Sequence, residues 1–141
     1  MKQNDQKAKT SPTDTLTQLI LTAGVATRYD VDDETVRVWF RKKVVPGGCR
    51  GEWRTTMPLL LKAERRPQSH LSPERISETM RNPVSVREVK KELGVTDKTA
   101  RLKMAAGDLG FTFKMGRLRY VDRRDFEDYC AMRAGSGVKW H

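Results

Sequence analysis

The apolar positions of this chain fall into short periodic runs separated by glycines and prolines, and the pattern is clearest between residues 83 and 135. Val86, Val89 and Leu93 recur at i, i+3 and i+7, which predicts one apolar helix face. Ser85 and Glu88 carry the Ser-x-x-Glu spacing of a capping box, in which the hydroxyl and the carboxylate satisfy free backbone donors at a helix start. Gly94 stops that helix. Thr96 can cap a second one, with Asp97 suited to its positive end, and Ala100 and Met104 recur four apart until Gly107. Phe111-Thr112-Phe113 and Leu118-Arg119-Tyr120-Val121 are β-prone runs, and Lys114 to Arg117 between them predicts a hairpin turning at Gly116. Asp122 then caps a closing helix in which Phe126, Tyr129, Cys130 and Arg133 share a face.

The same order recurs earlier in the chain. Thr22 caps a helix carrying Val25 and Tyr29, Asp30-Val31-Asp32 makes the turn, and Asp33 to Lys43 forms a helix with Val36, Trp39 and Phe40 apolar. Pro46-Gly47-Gly48 ends it, Trp53 serves a strand, and Pro58 opens a closing helix through Leu59, Leu60 and Leu61. An additional helix, Asp14 to Leu21, presents Leu16, Leu19 and Ile20 to the core. Val25, Val31, Asp33, Thr35 and Arg37 fall in register with Val89, Val95, Asp97, Thr99 and Arg101, so the pattern is an internal repeat. Helix, turn, helix, hairpin, helix is the order of a winged helix-turn-helix. The expected fold is mainly α with small β-wings, as two tandem winged helix-turn-helix domains.

The units span residues 13–66 and 83–135. Residues 67–82, with Pro67, Pro73 and several serines, read as a linker holding a short helix capped by Ser72 with Pro73 first. Residues 1–12 read as a disordered polar arm, and 136–141 as a flexible tail.

Charge adds a partner class to this organisation. The chain has 141 residues, with 28 Lys and Arg against 18 Asp and Glu, a formal charge of +10. That excess favours a polyanion. It divides evenly: residues 15–66 hold 10 basic and 6 acidic residues, residues 67–135 hold 14 and 10, and each unit is about +4. No apolar run approaches the roughly 18 residues of a membrane span, and the polar N-terminus has no signal-like segment, so a cytoplasmic protein with no membrane partner is expected. Cys49, Cys130, His70 and His141 lack metal-ligand spacing, and no phosphate loop or nucleophile-base arrangement is evident. The expectation is a non-enzyme without metal or cofactor.

Asp30-Val31-Asp32-Asp33-Glu34-Thr35-Val36-Arg37-Val38-Trp39-Phe40-Arg41-Lys42-Lys43-Val44-Val45-Pro46 resembles the MerR-like and phage excisionase group of winged helices. The resemblance lies in a turn, then Thr-apolar-Arg-x-aromatic, then basic residues and a Pro-ended loop. Gly94 to Arg101 and Gly116 to Phe126 are similar to the same group's recognition helix and its wing-to-last-helix segment. Lys103 and Leu102 depart from that pattern, each standing where the opposite polarity is usual, and the long dimerising helix and effector domain of MerR activators are absent. The resemblance implies double-stranded DNA as partner, with self-association on it and an integrase or RNA polymerase as further candidates.

In such a fold the second helix enters the major groove and the wing meets the backbone or minor groove. The candidate contacts of the second unit are Lys98, Thr99, Arg101, Lys103, Lys114, Arg117 and Arg119. Those of the first unit are Thr35, Arg37, Arg41, Lys42, Arg50 and Arg54. Asp32, Asp33 and Glu34 crowd the start of the first-unit helix and repel phosphate, so the second unit is expected to dominate affinity. The expected function is sequence-specific DNA binding, as an excisionase-like directionality factor or a small transcriptional regulator of a mobile element. A small terminase-type packaging subunit and a protein-interaction module are the alternatives.

Overall fold

The computed structural model describes residues 16–135. They form seven α-helices and two small antiparallel three-stranded sheets. The first half runs β1 (Leu19–Leu21), α1 (Thr22–Tyr29), α2 (Asp33–Arg41), β2 (Gly48–Arg50), β3 (Glu52–Thr56) and α3 (Met57–Ala63). A 3-10 turn (Gln68–Leu71) and α4 (Ile76–Thr79) connect it to β4 (Val84–Ser85), α5 (Val86–Leu93), α6 (Asp97–Ala105), β5 (Thr112–Met115), β6 (Leu118–Val121) and α7 (Arg123–Gly135). The strand orders are β1-β3-β2 and β4-β6-β5, so both halves share one element order and one sheet topology. Among the described residues no helix is long and apolar enough to cross a membrane.

Local chemistry places most of the helix ends. Ser85 Oγ accepts from the Glu88 amide at 3.3 Å, Thr96 Oγ1 from the Thr99 amide at 3.2 Å, and Asp32 Oδ1 from the Thr35 amide at 2.8 Å. Asp122 Oδ2 accepts from the Asp125 amide at 3.0 Å, the expected cap of α7. Gly94 closes α5 in the left-handed region, where a side chain would be strained. The capping box at Ser85 is only half closed, because the Glu88 carboxylate turns away to the Arg123 guanidinium, 3.0 Å from its Nη2.

Several expectations need correction. Within the additional helix expected over Asp14 to Leu21, Leu16 and Thr17 are helical but Leu19–Leu21 form a strand; residues 14 and 15 lie outside the described part. Leu19, Ile20 and Leu21 pair with Thr56, Thr55 and Arg54, and their burial alternates as a strand requires, with Ile20 inward. Thr22 is the first residue of α1 and makes no cap bond, and α2 stops at Arg41 with Lys43 in the left-handed region. Met57 precedes Pro58 in α3. Ser72 bonds through its carbonyl, to the Arg75 and Ile76 amides, and the short helix begins only at Ile76. The segment read as a linker is folded into the body, with Ile76 in the core and His70 and Thr79 buried. The arm and tail read over 1–12 and 136–141 lie outside the described residues.

What the sequence pattern does not announce is what covers the second hairpin. Phe113, Met115 and Tyr120 project into the core formed by Val25, Tyr29, Val36, Trp39 and Phe40 of the first half. Val84 and Val121 instead join Val89, Ala100, Met104, Leu109 and Phe126. One face of this sheet is therefore buried against the first half, and the other is covered by the second half's helices at Val84 and Val121 while Lys114 and, in part, Arg119 stay open to solvent. Tyr120 Oη donates to the Tyr29 carbonyl at 2.6 Å, and the Tyr29 ring meets Tyr120 and Trp39 edge-on at 5.4 and 5.8 Å. Burying each such side chain contributes roughly 1.5 to 3 kcal/mol.

Beside that seam runs a buried ionic chain. Arg28 donates to both Glu64 oxygens, at 3.0 and 3.1 Å, and to the Met80 carbonyl at 2.8 Å. Tyr29 Oη donates to Glu64, and Arg66 Nε donates to the same carboxylate at 2.7 Å. Arg66 also pairs with Asp122, which Arg75 meets from the connecting segment at 2.8 Å. Burial alone pushes the Asp122 carboxyl up, but the Asp125 amide, Arg66 and Arg75 outweigh it and hold it below the usual carboxylate range.

Candidate nucleic-acid interface

Each half leaves its second helix partly exposed, and the two differ in what surrounds it. On α6, Ala100 and Met104 are buried; Asp97, Arg101 and Ala105, at i, i+4 and i+8, form the stripe that flanks them, and Leu102 lies beyond it on the outer side. These four line a cleft of about 730 Å³. Its second wall is the hairpin, through Lys114, Arg117, Leu118, Arg119 and Tyr120. The mouth is formed by Ser85, Val86 and Arg87 at the start of α5 and by Tyr29 and Asp30 at the end of α1.

Lys114 and Arg119 are cross-strand partners, so their side chains leave the hairpin on one face. The cleft gathers five cations, Arg87, Arg101, Lys114, Arg117 and Arg119, against two carboxylates, Asp30 and Asp97. Arg87 pairs with Asp30, and Arg101 lies 2.8 Å from Asp97, both at exposed positions where such pairs hold only weakly. Lys114, Arg117 and Arg119 have no carboxylate partner among the described residues. A concave surface with three uncompensated cations attracts and orients a polyanion.

The remaining candidates lie elsewhere. Lys98 is exposed and Lys103 half-buried on α6, neither in the cleft. The Thr99 hydroxyl lies 3.0 Å from that of Thr96 and belongs to the cap. In the first half Thr35 is half-buried, and Arg37 and Arg41 both reach Glu34, at 3.3 and 3.2 Å. Lys42 caps the end of α2, and Arg50 is exposed on the free β2–β3 hairpin. Arg54 is half-buried, with Nη2 3.5 Å from the Arg50 carbonyl and a buried Nε that has no partner.

Sequence reasoning did not select Arg87, Leu118 or Asp30 for this surface. Arg87 sits in the first turn of α5, where a cation is not expected to serve the helix, and that misfit was the available signal. Among the described residues no group of three or more His, Cys, Asp and Glu is placed to hold a metal.

No family model, curated protein or solved structure matches the chain.

The functional reading therefore rests on geometry. A wider groove of about 820 Å³, between α3 and the connecting segment, is lined mainly by Leu16, Pro58, Leu61, Leu71, Pro73 and Ile76. It brings together none of the candidate polyanion contacts. The basic cleft does, and it does so with a helix face on one side and a two-stranded ribbon on the other.

Proposed function

We propose that the chain binds double-stranded DNA through the cleft between α6 and the β5–β6 hairpin, as a tandem winged helix-turn-helix protein. One observation carries the reading: Arg101 of α6 and Lys114, Arg117 and Arg119 of the hairpin, on separate elements, converge on a single concavity. The strand of a duplex whose major groove receives α6 runs between helix and hairpin, and its phosphates meet those cations. The biological setting proposed is that of an excisionase-like directionality factor or small regulator acting in the cytoplasm, with an integrase or polymerase as second partner. A bend of a short site costs about 1 to 6 kcal/mol, which contacts from both halves offset.

The test is duplex binding as a function of salt. Each phosphate contact contributes about 0.9 to the slope of log K against log salt, so Lys114→Ala, Arg117→Ala, Arg119→Ala in combination lowers that slope by about 2 to 3. These positions are exposed or half-buried, so circular dichroism should be unchanged. Binding and slope equal to those of the unaltered protein reject the proposal.

A further inference from the structure

We infer that Leu102 on α6 reads thymine through its 5-methyl group, so that the duplex held in the cleft is distinguished by a thymine step. This inference rests on the DNA-binding reading above. Leu102 is 60% exposed and Leu118 43%, and both line the basic cleft. A lone exposed leucine is ordinary on a protein surface; two lining one cleft together with five cations suit an occupant that is anionic and has an apolar face. Cations positioned on phosphates fix register and carry no base information. In the major groove the apolar group that separates base pairs is the thymine methyl, which makes it the chemical complement of a leucine there.

The helix supplies the placement. Asp97 and Arg101 face the cleft as an exposed pair at 2.8 Å, weak enough for a phosphate or base to draw Arg101 away, and Leu102 and Ala105 are the apolar side chains that α6 adds to the lining. Leu102 follows directly on Arg101, so a guanidinium on phosphate or guanine sets the leucine against the neighbouring base. Ala105, one turn further on, is small enough to admit the pair without a clash. Removing one methyl from an apolar contact weakens it by roughly fourfold in affinity.

The experiment uses the full chain and a random-core duplex library. Bound duplexes are sequenced, and each thymine of the recovered site is then replaced by deoxyuridine, which deletes only the 5-methyl. The expected result is one or two thymines where uracil lowers affinity about fourfold for the unaltered protein, and no such loss for Leu102→Ala. The uracil comparison on the unaltered protein needs no variant, so it reads the contact whatever a substitution does to folding. Tight, salt-dependent binding with no uracil-sensitive position overturns this inference and leaves the DNA reading standing, as does equal sensitivity in Leu102→Ala. Failure to enrich any duplex, with binding indifferent to salt, overturns both.

Discussion

Asp122 does two things at once. Its carboxylate caps α7 and receives Arg66 and Arg75, and it is almost fully buried. Removing one partner from a buried ionic group leaves the others uncompensated, at a cost of about 3 to 5 kcal/mol. Asp122→Ala should therefore destabilise the whole chain by that amount in urea titration. The readout is tryptophan fluorescence, since Trp39 and Trp53 stand in the other half; a midpoint shift seen there shows the loss crossing the seam. His70 gives a second prediction. Burial, first, and the Arg75 charge hold its imidazole below the ordinary value, and Arg66 Nη1 lies 3.3 Å from Nδ1. Between the lowered value and about 6.5 the folded chain binds fewer protons than the unfolded chain, so stability falls as pH drops through that window. Asp122, lowered from its own ordinary value, contributes its loss only below about pH 4, so the two losses begin at different pH. A denaturation midpoint that declines as pH falls below about 6.5, and a flatter profile there for His70→Gln, are the expected results. The same decline in the variant assigns the effect elsewhere.

At the scale of elements, the second hairpin is held by a close approach. Gly116 has φ +64°, and a Cβ there would lie 2.7 Å from Trp39 Nε1. Left-handed backbone costs a non-glycine residue about 1 to 2 kcal/mol, and the displaced indole adds to it, so Gly116→Ala should lower stability by roughly 2 kcal/mol or more. It should also shift Trp39 emission, which a turn free in solvent would leave unchanged. What could be read from the chain follows the range of the interactions. Ser85, Thr96, Gly94 and Asp122 act within four residues of themselves, and each sits where its local pattern placed it. Strands β1 and β4 are two or three residues long, and their partners lie more than thirty positions away, so no local period announces them. Phe113, Met115 and Tyr120 alternate as any half-buried ribbon does; nothing in that alternation says which helices cover them. The Arg28–Glu64–Arg66–Asp122 chain has the same origin, since buried charges look like surface charges until the fold brings them together. For the cleft, Arg101, Lys114, Arg117 and Arg119 were visible as basic residues on expected elements, while Arg87 and Leu118 gain their meaning only from the neighbours they meet.

The whole molecule behaves as a unit because one core borrows side chains from both halves. A fragment of residues 83–135 leaves Phe113, Met115 and Tyr120 uncovered and loses Glu64, Arg66 and Arg75 around Asp122. It should melt without a cooperative transition and bind a hydrophobic dye, whereas the full chain melts in one step; an independently cooperative fragment would contradict the shared core. The two halves are copies in topology but not in circumstance. The β2–β3 hairpin is exposed at its tip, whereas the β5–β6 hairpin has one face covered by the core of the first half. A duplex lying along the chain meets these two ends in a fixed order, so rotating it by half a turn about its dyad presents a different surface. Under the proposed function one copy of the chain would be an arrow on DNA: its preferred site is expected to lack a palindrome, and its footprint to point one way.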